Sequence, residues 1–585
     1  MVYYAQNNLY PININGNIIG FSKIFFEQEK IQENKDLIFF ENKYVNELIN
    51  NWIKLDKCNK IEKNISSFDA LIYLNLLSNR SYNDIYQYPV FPLLFFYDIN
   101  NKSIIERDLE NHIGFQNVTK MSEKRKKKII NIFKSKKDEI ESGINREKIS
   151  YYFESNFSNI NYICNYLIRI FPYTFISIEL QGDGYDNKNF FDSIEDTFYN
   201  ISFKENDLRE LIPEFFYFPE MFLNINKLNF NKNNDNKNIN DVKISEELIN
   251  ENNKDNNICN IKINSNSEKN LFYLYCKFIS NMRSNLEKKY IEIFKWKNLI
   301  FGNKQKHLNK SETDLLFKPE TYISFKENKN EILNKEKINN IEFGILPNQI
   351  IYEESEIDIK LKDKILLNNK DNDLIYIEKK INHYKNINNK EIIDFSYLDT
   401  KIIINKKIPK IEILNEGKLY KEFYENISYI NYFHFNKKLN MFIISSIDGF
   451  LLLYILPGKL INVIKHPIKN NFFDFCFLSS NPFPNIIAYD KKDKNLYSFS
   501  INGFFIKKIN LYDFSIFNFE QIDDIKIFPI FDDEKGIYKD VIIIQNNKEE
   551  NINIQKLKET KEKNTLILNV PFFEKISVYD IFYYK

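Results

Sequence analysis

The sequence predicts a multidomain chain: a mainly α-helical domain with irregular core segments, a small β-rich segment before it and an all-β region after it. Three observations predict this. Ser66-Ser67-Phe68-Asp69 has the form of a capping box and opens a run with Phe68, Leu71, Ile72 and Leu76 on one helical face. That helix delivers the chain into residues 79–92 (NRSYNDIYQYPVFP), where tyrosines and prolines surround a polar knot of Asn79, Arg80, Asn83 and Asp84. Pro89 and Pro92 fix φ and remove backbone donors, so neither a helix nor a central strand runs through them. Beyond residue 357, short β-type runs separated by turns replace helical patterns.

Composition narrows the function classes. A chain of 585 residues has room for about two to four domains and a substantial core. Asn, Ile, Lys, Phe and Tyr are overused, and all are favoured by A/T-rich codons, so Asn-rich runs carry little mechanistic weight. Lys and Arg number 81 against 80 Asp and Glu, without the basic excess of a nucleic-acid binder. Cys58, Cys164, Cys259, Cys276 and Cys476 have no paired spacing, which argues against a disulfide framework or a zinc module. No charged n-region and apolar h-region open the chain, and no apolar run approaches the roughly 20 residues that span a bilayer. The expectation is a soluble, cytoplasmic protein.

In order along the chain, residues 9–18, 24–26 and 37–40 read as strands and 44–52 as a helix. Residues 122–142 form a helix carrying Lys124, Arg125, Lys126, Lys127, Lys128, Lys134, Lys136 and Lys137. A solvated face is the ordinary meaning of such a charge run; the sharper one is a patch resting on anionic lipid, worth about 1 kcal/mol per charge. Gly182 and Gly184 suit a turn of positive φ, while the Asp/Asn cluster around them lacks the ligand register of a calcium loop. Residues 229–265 are nearly all Asn, Lys, Asp and Ile, too polar to pack, and read as a disordered or looped insertion. Helical pattern resumes at Glu268 and runs toward Trp296. In the C-terminal region, Ser446-Ile447-Asp448-Gly449 followed by residues 451–454 has the look of a turn and third strand of a propeller blade. Residues 492–495 and 496–499 repeat it, and the 45-residue step from Tyr454 to Phe499 is at the upper edge of a blade's period.

Residues 65–92 resemble, without a gap, the opening signature of the BEACH domain, the module of neurobeachin and lysosomal-trafficking-regulator-like proteins. Further blocks resemble the same family in order: Arg107-Asp108-Leu109 with Gly114; residues 153–172 around Tyr166 and Arg169; LQGDGYDNKNFFDSIEDTF from Leu180; ELIPEFFYFP from Glu210; WKNLIFGNKQ from Trp296; and IEFGILPNQI from Ile341. The chain departs from the pattern at Asn156 and Phe157, where the family carries His and Tyr, and at Asn303, where it carries Tyr. Trp52 stands where the family has a tryptophan just before its first helix.

The resemblance implies a partial pleckstrin-homology-like (PH-like) segment at 1–50, a BEACH domain at 51–352 with the insertion at 229–265, and a degenerate WD-repeat β-propeller at 353–585. Two or three blades of that propeller are legible, and closure of its ring is left open. It further implies a non-enzymatic scaffold or adaptor in vesicle or endolysosomal trafficking, cytoplasmic and peripherally membrane-associated, whose partners are proteins of the trafficking machinery. A second branch of the family, the factor associated with neutral sphingomyelinase activation, implies instead an adaptor that regulates a lipid-metabolising enzyme. No phosphate cradle, HExxH, GxSxG or CxxC is present, so no cofactor, metal or catalytic residue is expected. His112, His307, His383, His434 and His466 lie far apart and read as structural or solvated. The candidate binding residues at the core or interface of the domain are Asn79, Arg80, Tyr82, Asn83, Asp84, Tyr88, Arg169, Gln181, Glu214 and Trp296. The polar knot has a blander meaning as well, a satisfied buried network that fixes irregular backbone.

Overall fold

Helix α1 (Ser67–Leu77) forms where the capping box predicts it. Ser66 lies in extended φ/ψ, its Oγ accepts the Asp69 N–H at 3.1 Å, and it donates to Asp69 Oδ2 at 2.6 Å. The expectation of one apolar face is too narrow. Ser67, Phe68, Ala70, Leu71, Ile72, Tyr73, Leu74 and Asn75 are all buried, while Leu76 is only half-buried. The helix is enclosed nearly all round, as an element inside a domain is, and so needs no polar face.

This is a computed structural model. It describes residues 12–14, 17–19, 48–49, 52–55, 61–63, 65–98, 103–106, 123–142, 150–153, 157–180, 191–203, 207–226, 241–242, 244, 268–302, 305, 314–322, 344–351, 385–387, 390–395, 400–405, 410–415, 418–424, 429–436, 438–456, 458–513, 524–532, 537–545 and 565–575. The chain divides into two compact units, Met1–Ile261 with Lys277–Asn369, and Lys262–Cys276 with Lys370–Lys585. Among the described residues no helix is long and apolar enough to cross a membrane.

In the first unit, the strand expected over 9–18 is a hairpin of β1 (Ile12–Ile14) and β2 (Asn17–Ile19). The strands expected at 24–26 and 37–40 lie outside the described residues. A hairpin of β3 (Ile53–Leu55) and β4 (Ile61–Lys63) stands between Trp52 and α1, so Trp52 leads into a strand and not directly into the first helix. Trp52 is nonetheless fully buried, 5.3 Å from the Phe294 ring. Downstream come the hairpin β5 (Phe95–Asp98) and β6 (Ser103–Glu106), the basic helix α2 (Glu123–Glu141), and β7 (Ser150–Phe153). Helix α2 docks through Phe133, which stacks on Tyr152 at 3.9 Å, and through Lys136 over the Tyr151 ring.

Helix α3 (Ile160–Tyr166) is capped by Asn159, whose Oδ1 accepts the Tyr162 N–H at 2.9 Å. It is followed by α4 (Tyr173–Leu180) and α5 (Ile194–Phe203). The segment 210–222 then makes two single 3₁₀ turns, Pro213–Phe216 and Pro219–Phe222, each with proline at its start, where the missing N–H has no partner to lose. Phe215 and Phe216 of the first turn, and Tyr217 and Phe218 between the two, are all buried. Helix α6 (Glu268–Lys288), which belongs to this unit from Lys277 onward, and α7 (Tyr290–Ile300) follow, and β8 (Asp314–Phe317) pairs in parallel with β7. Most of 229–265 lies outside the described residues, but the reading that it cannot pack fails at one place. Val242 is fully buried and its N–H donates to the Phe222 carbonyl at 2.9 Å, while Asp241 Oδ1 accepts the Asn224 N–H at 2.7 Å. A single apolar residue flanked by an acceptor suffices to pin a polar stretch.

The second unit is antiparallel throughout its described sheets, each a meander of consecutive strands. Five strands run from β9 (Lys385–Ile387) through β10 (Lys390–Phe395), β11 (Thr400–Asn405) and β12 (Lys410–Asn415) to β13 (Lys418–Tyr424). Two four-stranded sheets follow: β14 (Ile430–Asn436), β15 (Met441–Ser446), β16 (Phe450–Ile455), β17 (Lys459–Lys465), and β18 (Phe475–Ser479), β19 (Asn485–Asp490), β20 (Asn495–Ser500), β21 (Phe505–Asn510). A fourth, three-stranded sheet comprises β22 (Asp524–Asp532), β23 (Ile537–Gln545) and β24 (Thr565–Asn569).

The turn-and-third-strand reading holds in both four-stranded sheets, and Tyr454 and Phe499 occupy matching places. Each is buried, and each follows a β-bulge at the same point of its strand, between Leu453 and Tyr454 and between Ser498 and Phe499. The two sheets are joined by side chains of β14: Asn431 Nδ2 donates to Phe473 O, Asn436 Nδ2 donates to Leu478 O, and His434 Nδ1 accepts the Leu478 N–H. The described residues show these sheets and no closed ring, and the hairpin β1–β2 is not in itself a PH-like domain.

Candidate functional site

The polar knot is turned inward. After α1, Asn79 takes φ of 64°, a left-handed turn that asparagine tolerates, and sends Arg80 into the interior. Arg80 is fully buried. Its Nη1 donates to the Tyr88 carbonyl at 2.6 Å and to Ser158 Oγ at 3.0 Å, and its Nη2 donates to the Ile345 carbonyl. One guanidinium therefore fastens segments around 88, 158 and 345. Burial lowers the Arg80 pKa to about 9, with the charge of Asp84 opposing that shift. Asp84 is half-buried and closes the local loop, its Oδ1 accepting the N–H groups of Tyr86 at 2.9 Å and Gln87 at 3.3 Å.

Tyr88 is the second hub. Its hydroxyl donates to Glu214 Oε1 at 2.6 Å, and its ring meets Tyr82 at 5.7 Å and Tyr173 at 6.3 Å, both edge to face. Burial, and then the neighbouring Glu214, push the Tyr88 hydroxyl well above the usual phenol range. Glu214 is 3% exposed, and burial raises its carboxyl to about 7 against the opposing hydroxyls of Tyr88 and Tyr217. Backbone completes the join: Phe91 and Leu211 exchange N–H···O bonds of 2.8 and 2.9 Å, and the Phe91 ring lies 5.2 Å from Phe216.

Of the other candidate residues, Arg169 is buried and donates to the Phe191 carbonyl at 2.6 Å, with a 3.4 Å ion pair to the exposed Asp192. Trp296 is buried with its Nε1 3.5 Å from Glu210 Oε1. Tyr82 is buried, Asn79 is half-buried and Asn83 is exposed. The side chains of Arg80, Tyr88, Arg169 and Trp296 are thus buried and bonded within the domain. Gln181 and the side chains of Lys124, Arg125, Lys126, Lys127 and Lys128 lie outside the described residues. Among the described residues no His, Cys, Asp or Glu cluster could hold a metal ion.

Several hub residues escaped the sequence reading. Asn75 uses its amide as a strand would, donating to Val90 O at 2.9 Å and accepting Val90 N–H at 2.8 Å. Glu210 Oε2 accepts the Leu93 N–H at 2.5 Å. Lys297 is fully buried, with Nζ 3.9 Å from the centre of the Phe294 ring and 3.0 Å from Asn298 Oδ1. A polar residue inside an apolar helical run was the available signal for Asn75; for Glu210 and Lys297 there was none. In the second unit, His466 is structural, as expected, but it is paired. Its Nδ1 accepts the Ile468 N–H at 3.0 Å, and its Nε2 lies 3.3 Å from Asp490 Oδ2. Outside these networks, Phe171 and Phe175 stack at 4.9 Å while 37% and 62% exposed, an aromatic pair facing solvent.

Comparison with known proteins matches residues 59–357 to the Beige/BEACH domain family. The chain is similar to BEACH domain-containing protein B of Arabidopsis thaliana, 30% identical over 247 residues, covering 42% of this chain and 8% of that protein. Beige protein homolog 1 of Saccharomyces cerevisiae is 30% identical over 251 residues (41% and 10%), and WD repeat- and FYVE domain-containing protein 4 of Homo sapiens is 31% identical over 264 residues (43% and 7%). The chain thus spans a tenth or less of the length of these relatives. Among solved structures, the WD40 β-propeller domain of Doa1 is 14% identical over 26% of this chain and 47% of its own, with a TM-score of 0.20. That score lends no weight to the fold, which rests on the sheets themselves.

Proposed function

The chain belongs to the Beige/BEACH domain family, and from that premise we propose that it is a non-enzymatic scaffold of vesicle or endolysosomal membrane trafficking, cytoplasmic and peripherally attached to membranes. Its domains would be the 1–50 segment, the BEACH domain at 51–352 and a propeller at 353–585. The observation that supports binding over catalysis is the orientation of the signature residues. Arg80, Tyr88, Arg169, Glu214 and Trp296 are all buried in the hub, so the work falls to the surface they hold in shape. Phe171 and Phe175 are the kind of exposed aromatic residues that act as interface hot spots. Helix α2, with its run of lysines, would rest on anionic lipid, each charge adding about 1 kcal/mol near the surface.

Proximity labelling of the tagged full chain in cells tests this reading. Enrichment of vesicle- or endolysosome-associated proteins over a tag-only control is expected, reduced by Phe171→Ala with Phe175→Ala. Labelling indistinguishable from the control overturns it. Flotation with vesicles containing phosphatidylserine tests the lipid arm; charge reversal at Lys126, Lys127 and Lys128 should abolish co-flotation.

A further inference from the structure

Glu214 is a buried carboxyl without a counter-charge. It sits at the first residue after Pro213 in the 3₁₀ turn, and both hydroxyls that reach it, Tyr88 at 2.6 Å and Tyr217 at 3.3 Å, converge on Oε1. Oε2 is buried and has no hydrogen-bond partner, and among the described residues no Lys, Arg or His pairs with the group. A carboxylate held this way leaves one oxygen's charge desolvated, whereas a protonated carboxyl does not.

Among the described residues, the groups around it are phenols, a thiol and aromatic rings. Tyr88 faces it from the 79–92 segment, with Tyr82 edge-on to the Tyr88 ring, Tyr173 from α4 with Cys164 of α3 behind it, and Tyr217 from its own turn. The Phe68 ring lies 6.0 Å from Tyr217, and Arg283, over the other side of Phe68, is directed at Glu287. Arg80 is committed to carbonyls, including that of Tyr88 itself.

We propose that the buried Glu214 carboxyl is a proton-operated latch between the 79–92 segment and the Pro213–Phe216 turn: the join is tightest when Glu214 is protonated, and ionisation loosens it because the charge on the unpartnered Oε2 stays desolvated, a cost that the strengthened Tyr88 bond only partly offsets. The linkage has a definite sign. Burial raises the folded-state value to about 7 from an ordinary 4.5. The stabilisation is therefore complete below about pH 4.5 and is lost as pH rises through about 7. An acidified surface tightens this core and a neutral one relaxes it. The latch is a property of the domain itself, independent of which partners the surface recruits.

Hydrogen exchange of the full chain between pH 5.5 and 8.5, corrected for intrinsic exchange chemistry, reads the latch in peptides spanning 86–94 and 210–219. The opening constant in those peptides should rise by roughly thirtyfold across the range, because each pKa unit of difference is a factor of ten and the first factor is already spent below pH 5.5. Glu214→Gln should flatten the dependence. Tyr88→Phe, which removes a donor that favours the charged form, should move the midpoint to higher pH. A wild-type opening constant that does not change with pH, or an unchanged slope in Glu214→Gln, overturns the proposal. Should Glu214→Gln fail to fold, an unmoved midpoint in Tyr88→Phe overturns it instead.

Discussion

Glu287 caps helix α1 from 220 residues away: its Oε2 accepts the N–H of Ser67 at 2.8 Å, and its Oε1 accepts that of Phe68 at 3.2 Å. These are donors that the helix cannot satisfy itself, and the carboxylate also favours the positive end of the helix dipole. Arg283, one turn earlier on α6, lies over the Phe68 ring at 3.8 Å and pairs with Glu287, so α6 grips the start of α1 by charge and by stacking. Glu287→Ala should leave two buried N–H groups unpaired and cost about 2–4 kcal/mol. Glu287→Gln, which keeps one oxygen, should cost roughly half as much. Urea midpoints at a common slope measure both.

Arg80 makes a sharper test of geometry against charge. Lysine keeps the charge but has a point-like ammonium on a flexible stem and cannot reach Tyr88 O, Ser158 Oγ and Ile345 O as a fork does. Arg80→Lys should therefore lose about 3 kcal/mol, close to the loss in Arg80→Met, by calorimetric melting. Recovery of wild-type stability by lysine would show that the charge alone matters.

The two four-stranded sheets provide an internal control on backbone strain. Gly449 has φ of 83°, and a Cβ there would lie 2.5 Å from the Asn471 carbonyl oxygen. Lys494 ends the matching turn of the next sheet with φ of 54°, a left-handed conformation adopted without glycine. Gly449→Ala should destabilise the second unit by about 2 kcal/mol or more, whereas Lys494→Gly should be neutral or stabilising by about 0.5 kcal/mol. Thermal melts of the two variants check the opposite signs.

What was legible in the sequence was local. Ser66 and Asp69 lie three residues apart, Pro213 and Pro219 each announce a turn, and the turn before Leu451 is written in four consecutive residues. Signals of that kind need no knowledge of the fold. The hub was legible as a place, because a polar knot between tyrosines and prolines has to be enclosed, but its bonds were not. Glu287 and Glu210 look like any surface acid on a charged chain, and the Ile345 carbonyl that holds Arg80 has no sequence signature at all. Val242 shows the converse error: averaging over a polar stretch hid the single residue that anchors it.

His466 and Asp490 predict an acid-sensitive second unit. Burial lowers the His466 pKa below its usual 6.5, with Asp490 opposing that shift less strongly. The folded state therefore resists a proton that the unfolded chain accepts. Stability is full above about pH 6.5 and declines as pH falls below it, the opposite slope to that of Glu214. His466 Nδ1 lies 3.0 Å from the Ile468 N–H and 3.1 Å from the Ile468 carbonyl oxygen, so it accepts from the first when neutral and can donate to the second when protonated, and the resistance to the proton comes from burial. His466→Gln should remove most of the loss between pH 7 and 5, whereas Glu214→Gln should leave it intact. Hydrogen exchange across β16 and β19, followed over that interval, separates the two: protection there should fall on acidification in the wild type and in Glu214→Gln alike, and hold in His466→Gln.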